Sequence, residues 1–160
     1  MQNLPYAQRI GTLENMLEKI KVASVPDKFS QDFVSTKLSM KGGTPRSTIP
    51  FIKKMGFVTS DGTPTDRYKA FRNPEKSGAA IAESMRELYA PLFDMNEYVY
   101  ELDNKGLKSL IVEATGAEGG SRAVQMTLST FTSLNKLADF DANSEKNVTK
   151  VQRTYTVKNT

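Results

Sequence analysis

Apolar residues recur every three or four positions along much of the chain, which is the spacing of one buried face on an α-helix. The first such stretch predicts a helix over residues 7–22 that ends before Pro26. A second, shorter helix is predicted over residues 30–38, with the Ser30 hydroxyl as its N-cap. The apolar positions that define these two helices are Ile10, Leu13, Met16, Leu17, Ile20, Phe33, Val34 and Leu38.

A third helix is predicted after the two glycines at 42–43, which can take the positive φ angles that other residues avoid. Thr44 is its expected N-cap and Pro45 its first helical residue. Pro50 interrupts this pattern, because its ring would meet the carbonyl of Arg46. Two alternatives therefore remain, a kinked helix or a helix that begins later.

Residues 57–64 have the pattern of a short β-hairpin, with the strong turn signal Asp61-Gly62 between two short runs. Thr65 is expected to cap the short helix that follows. Two helices, a glycine turn, a basic helix and a hairpin follow one another in the order of a winged helix-turn-helix.

The second half of the chain is predicted to be helical as well. Asn73-Pro74 opens a central helix that closes before Pro91, and an aromatic stretch follows over residues 92–102. Another helix runs from Asn104 to Gly116, and Ser121 is expected to cap the last long helix.

The predicted fold class is therefore mostly α with a small β-hairpin, of the winged helix-turn-helix type. We divide the chain into a winged-helix-like unit (1–72), a central acidic helix with its aromatic connector (73–103), a second helical unit resembling a helix-turn-helix (104–140), and residues 141–160. This last segment is either a polar tail or a late strand, since Val151, Tyr155 and Val157 alternate at period two. The Gly-Gly-Thr-Pro-Arg string at 42–46 is echoed by Gly-Gly-Ser-Arg at 119–122, which leaves open two helix-turn-helix units around the central helix.

The amino-acid composition limits which catalytic and metal-binding groups the protein can use. The 160 residues contain no histidine and no cysteine, so imidazole acid–base catalysis, thiol nucleophiles and the usual zinc ligands are excluded. We expect a protein that is not an enzyme and that needs no cofactor and no metal. No stretch approaches the roughly 18 apolar residues of a membrane span, and the first residues lack the layout of a secretory signal. A cytoplasmic location and no membrane partner are therefore predicted.

Charge is distributed unevenly around a net value of +4. No acidic residue lies between Asp32 and Asp61, whereas the central stretch from Glu75 to Asp103 is rich in acids and the chain after Glu145 carries only basic charges. An outward-facing basic third helix would suit DNA, since arginine can bind a guanine edge and lysine a phosphate. Asp61 at the hairpin tip is unfavourable for this interpretation, because it would repel phosphate. The predicted nucleic-acid-binding residues are Lys41, Arg46, Ser47, Lys53 and Lys54.

DNA is thus the expected partner, in a regulatory role or in a genome-defence or mobile-element system. The alternative is a non-catalytic protein-interaction or scaffold module, in which the aromatic stretch at 92–102 forms a homodimer or partner surface. The salt dependence of binding distinguishes these two hypotheses. Binding to phosphates weakens steeply as the salt concentration rises, whereas binding through an apolar interface does not.

One string is more specific than the rest: Gly56-Phe57, then Asp61-Gly62-Thr63-Pro64-Thr65, then Arg67-Tyr68. Together with Leu4-Pro5-Tyr6 and Leu88-Tyr89, it resembles a prokaryotic family of domains of unknown function. The resemblance implies a winged-helix-like, mostly helical fold in bacteria, archaea or their mobile elements, and no established activity or catalytic residue. From the residues themselves, we expect Tyr68 and Phe71 to pack on the core and Arg67 to pair with a carboxylate of the central helix.

Overall fold

The computed structural model describes residues 3–141. Within this range the chain is mostly helical and forms no β-strand, so the mostly α class is confirmed. A single 3-10 turn at Val99–Glu101 interrupts the series of α-helices. The α-helices are α1 Ile10–Val22, α2 Gln31–Thr36, α3 Gly43–Lys54, α4 Asp66–Arg72, α5 Ser77–Leu88, α6 Ala90–Met95, α7 Asn104–Thr115 and α8 Arg122–Leu137.

Side-chain caps fix where several helices begin. The hydroxyl of Ser30 accepts a hydrogen bond from the amide of Phe33, and Thr65 and Ser121 do the same three residues into α4 and α8. Each cap satisfies an amide that has no partner within its own helix. The caps expected at Ser30, Thr65 and Ser121 are therefore confirmed.

The start of α3 differs from the expectation. The helix begins at Gly43 with Gly42 as its N-cap, so the assignment of Thr44 as cap is wrong. Gly42 has a φ of 104°, a conformation that residues with a side chain rarely adopt. Pro50 lies inside the helix on its exposed side, and the later start considered for this helix is wrong as well.

The predicted β-hairpin is wrong. Only one isolated antiparallel bridge forms in this region, between Val58 and Pro64. The turn itself closes, since the amide of Thr59 donates to the carbonyl of Thr63 over 2.9 Å. The amide of Thr65 also donates to the carbonyl of Phe57 over 2.9 Å, but α3 ends only at Lys54 and Thr65 already caps α4, so too few residues remain for two strands.

One hydrophobic cluster joins all parts of the described chain. Helix α1 packs on α3, α4 and α8, and α5 packs on α4 and α8. The segment before α1 is held by two long-range hydrogen bonds, from the Ala7 amide to Thr130 Oγ1 (3.0 Å) and from the Tyr89 hydroxyl to the Pro5 carbonyl (2.8 Å). The first residues of the chain are therefore anchored to its last helices.

None of the helices described is both long and apolar enough to cross a bilayer. The period-two pattern at Val151, Tyr155 and Val157 lies outside the described residues, so the choice between tail and late strand stays a prediction.

Candidate nucleic-acid interface

The predicted binding residues of α3 share one side of the helix. Positions 46, 47, 50, 53 and 54 are all exposed and are spaced by helical turns. The opposite side is buried in the core through Ile49, Ile52 and the other apolar residues of the helix. Arg46, Ser47, Lys53 and Lys54 therefore point away from the core, and Lys41 is exposed just before Gly42. We call this set, Lys41, Arg46, Ser47, Lys53 and Lys54, the α3 face.

No residue in the described part of the chain neutralises the cations of the α3 face. Within residues 3–141, Lys41, Arg46, Lys53 and Lys54 have no ion pair and donate no side-chain hydrogen bond. Ser47 Oγ donates to the Thr44 carbonyl over 2.9 Å, which leaves its lone pairs available to a donor. The whole face can thus offer its charge to an external anion.

Several neighbouring cations are held by protein groups instead. Lys19 Nζ donates to the carbonyl of Leu38, and Arg72 Nε donates to the carbonyl of Ile20. Lys21 lies 5.1 Å from the centre of the Phe71 ring. These cations bind groups of the fold, whereas the four cations of the α3 face have no such contact among the described residues.

The negative charge of Asp61, at the tip of the turn after α3, is compensated by neighbouring donors. Lys28 Nζ lies 2.7 Å from its carboxylate, and the hydroxyls of Thr59 and Thr63 also donate to it. These donors, Lys28 first, hold the pKa of Asp61 far below its ordinary value of 3.8, so the carboxylate stays ionised. The pairing with Lys28 offsets the charge that would otherwise repel a phosphate near this turn.

Two acids limit the positive potential at the ends of the face. Asp32 and Arg46 line the same groove of about 270 Å³ between α2 and the start of α3. Glu87 and Lys54 share another groove, but both Glu87 oxygens already accept hydrogen bonds from Arg67. No group of three or more acids that could hold a metal ion comes together in residues 3–141.

Arg67 joins the end of α3 to α5. Its guanidinium donates to Glu83 (2.8 Å), to both oxygens of Glu87 (2.9 and 2.6 Å) and to the carbonyl of Met55 (2.8 Å). We call this set of contacts the Arg67 clamp. The expected pairing of Arg67 with a carboxylate of the central helix is confirmed.

A family model matches residues 5–145, and its description is "Family of unknown function (DUF5343)". The chain belongs to this family. The DUF5343 match spans every helix described above, the α3 face and the Arg67 clamp. Searches of curated proteins and of solved structures found no match.

In this member of DUF5343, the string at 56–68 is architectural. Tyr68 is buried against the rings of Phe29 and Phe57, and Phe71 is buried beside Phe57, so the packing expected for both is confirmed. Burial raises the pKa of Tyr68 to about 12, and its hydroxyl has no hydrogen-bond partner among the described residues. A tyrosine shifted in this direction is less able to ionise, which is the opposite of an activated catalytic group.

The pairing of Lys28 with Asp61 was missed by sequence reasoning. The two residues lie 33 positions apart, and no spacing rule connects a loop lysine to a distant turn. The amide of Phe29 also donates to the carbonyl of Gly62 over 2.7 Å, so the turn is fastened to the loop before α2 through backbone as well as side chains.

Proposed function

We propose that the chain binds duplex DNA without catalysing a reaction, and that the α3 face is the surface that contacts it. The observation that carries this proposal is a set of cations on one side of a helix that pair with no group in residues 3–141, while the other side of the helix is fixed in the core. A helix held in this way can enter the major groove, because its position is set before it meets the DNA.

The chemistry of each residue suggests its role. Arg46 can donate two hydrogen bonds to a guanine edge, whereas Lys41, Lys53 and Lys54 suit phosphates. Ser47 can bind either a base or a phosphate. In this winged-helix-like arrangement, α2 and α3 form the helix-turn-helix and the turn at 59–63 takes the place of the wing.

The proposed biological setting comes from the family resemblance. A regulatory role, or one in genome defence or a mobile element of a prokaryotic cell, is supported by the sequence resemblance alone. The non-catalytic character is supported by the lack of histidine and cysteine in the sequence, which leaves no imidazole base and no thiol nucleophile.

Fluorescence anisotropy with a random-sequence duplex tests the proposal. At physiological salt we expect a Kd of roughly 10⁻⁴–10⁻⁶ M, as for non-specific DNA binding, and tighter binding at low salt. The double substitution Lys53→Glu and Lys54→Glu should remove this binding. Lys53→Gln alone should reduce the slope of log affinity against log salt by about 1, because one phosphate contact is lost.

Helix α7 offers a matched control. The double substitution Lys105→Glu and Lys108→Glu changes the net charge by the same amount on a helix outside the α3 face. This variant should keep most of its affinity for the duplex. Circular dichroism checks that both variants are folded. If the wild type does not bind at low salt, or if the two double variants weaken binding equally, the α3 face is not the DNA-binding surface.

A second candidate function is a non-catalytic protein-interaction module. It is favoured by Tyr98 and Met95, large side chains that are 54% and 39% exposed. A complex formed through these residues should persist when salt is raised, and Tyr98→Ala should weaken it, whereas the charge reversal on α3 should not.

A further inference from the structure

A second surface, opposite in charge to the α3 face, is built around stacked aromatic rings. The rings of Tyr100 and Phe140 are parallel to within 12°, and their centres are 4.0 Å apart. Phe93 lies 5.7 Å from Phe140, and the guanidinium of Arg86 lies 5.2 Å from Phe93 and 5.1 Å from Phe140. This stack fixes the end of the described chain against α5 and α6.

The outer edge of the stack is exposed and acidic. Tyr98 lies 6.2 Å from Tyr100 and is 54% exposed. No lysine or arginine occurs between Arg86 and Lys105. Burial and the nearby charge of Glu101 raise the pKa of Tyr100, and the charge of Asp141 adds to this increase, against a lowering by Arg86. We use the name acidic aromatic face for the exposed residues in and beside this stack: Tyr98, Glu101 and Asp141, which lie near Tyr100, together with Asp94, Met95 and Glu97 from the same stretch of chain.

The remainder of the chain starts at this face. Phe140 is part of the stack, and residues 142–160 continue directly from Asp141. An extended chain covers at most about 3.3–3.6 Å per residue, so the first basic residue, Lys146, is within about 20 Å of the face. The segment 142–160 has one acid, Glu145, and the basic residues Lys146, Lys150, Arg153 and Lys158.

We propose that the segment 142–160 docks on the acidic aromatic face of its own chain. Its basic side chains are opposite in charge to the carboxylates of Asp94, Glu97 and Glu101, and its apolar residues Val151 and Tyr155 suit the exposed Met95 and Tyr98. Since the segment is attached beside the face, its effective concentration there is on the order of millimolar, and even weak contacts suffice. This docking does not depend on DNA binding, which involves a different surface.

The lack of tryptophan in the chain permits a direct test on the full-length protein. Tyr98→Trp places a single indole on the acidic aromatic face. In this background, reversal of the four basic residues of the segment to glutamate should shift the indole emission to the red and raise its quenching by acrylamide. Raising salt to about 0.5 M should also shift the emission of the unreversed protein to the red and raise its quenching. Salt screens the attraction between exposed charges, so the segment should leave the face.

The matched control reverses four exposed lysines elsewhere, so that the net charge is equal: Lys37, Lys41, Lys69 and Lys76. It should leave emission and quenching unchanged. Carbodiimide cross-linking should join Lys146 or Lys150 to Glu97 or Glu101 within a monomer.

Equal quenching in the segment-reversed and unreversed proteins would overturn the proposal, as would cross-links from the segment to the α3 side of the molecule. Quenching that falls as protein concentration rises would mean that a second copy covers the face, which also overturns docking within one chain. Loss of DNA binding in these variants has no bearing on either result, so the two proposals fail separately.

Discussion

At the scale of single residues, Gly56 and Arg67 depend on each other. Gly56 has a φ of 80°, and a methyl group at this position would lie 2.3 Å from Arg67 Nη1. The guanidinium, whose side chain is only 13% exposed, passes over Gly56 to reach the carbonyl of Met55. A small residue with positive φ is therefore required where the Arg67 clamp crosses the end of α3.

Gly56→Ala should lower the free energy of unfolding by about 1–3 kcal/mol, because the backbone is strained and Arg67 is displaced. Urea denaturation followed by circular dichroism measures this change. Gly43→Ala is the control, since a methyl group there meets nothing within 4 Å and α3 already includes the residue. The control should be neutral or stabilising by less than about 1 kcal/mol. Equal losses in the two variants would contradict the close contact at Gly56.

At the scale of elements, α3 has one side packed in the core and a proline inside the helix. Pro50 cannot donate to the carbonyl of Arg46, and it lies on the exposed side, where water can hydrate that carbonyl. The helix continues to Lys54 because the apolar residues on its other side are packed against α1 and α2. Tertiary packing thus overrides the helix-breaking tendency of this residue.

Pro50→Ala should raise the free energy of unfolding by about 1–3 kcal/mol, since alanine restores a backbone hydrogen bond within the helix. Thermal and urea unfolding measure the gain. Pro45→Ala is the comparison, because Pro45 lies in the first turn, where no intrahelical bond is lost, and its ring is buried. That variant should be less stable than the wild type. A loss of stability in Pro50→Ala would show that the proline is accommodated better than its position implies.

The extent to which the sequence predicts these elements follows from the range of each interaction. Helical spacing and caps such as Ser30 and Ser121 act within a few residues, so they are readable from the chain. The side of α3 that carries Lys53 follows from the same spacing. The hairpin was predicted from the Asp61-Gly62 turn and the short runs beside it, but a ladder also needs room on both sides, and Thr65 is already used as the cap of α4. A contact between residues that are 33 positions apart, such as Lys28 with Asp61, cannot be predicted from the local sequence around either residue.

At the scale of the whole molecule, the two halves of the chain hold each other. Ala7 is bound to Thr130, Glu14 accepts a hydrogen bond from Ser133 over 2.7 Å, and Arg67 is clamped to α5. Since α1, α3 and α4 bury their apolar sides in a cluster that includes α5 and α8, the first 72 residues lack part of their own core.

A fragment of residues 1–72 should therefore not unfold cooperatively, whereas residues 1–141 should unfold in one transition like the full chain. Circular dichroism during urea titration distinguishes the two. A cooperative transition in the shorter fragment would mean that the segment with the α3 face is an independent folding unit.

The Arg67 clamp also bears on how genes for such proteins can recombine. A breakpoint in the loop at 73–76 would transfer α3 and Arg67 to a new host while leaving Glu83 and Glu87 behind. The recipient would inherit a largely buried positive charge without its counterions, and the end of α3 would lose its support. We therefore expect that fusions in which α3 stays folded carry α5 as well.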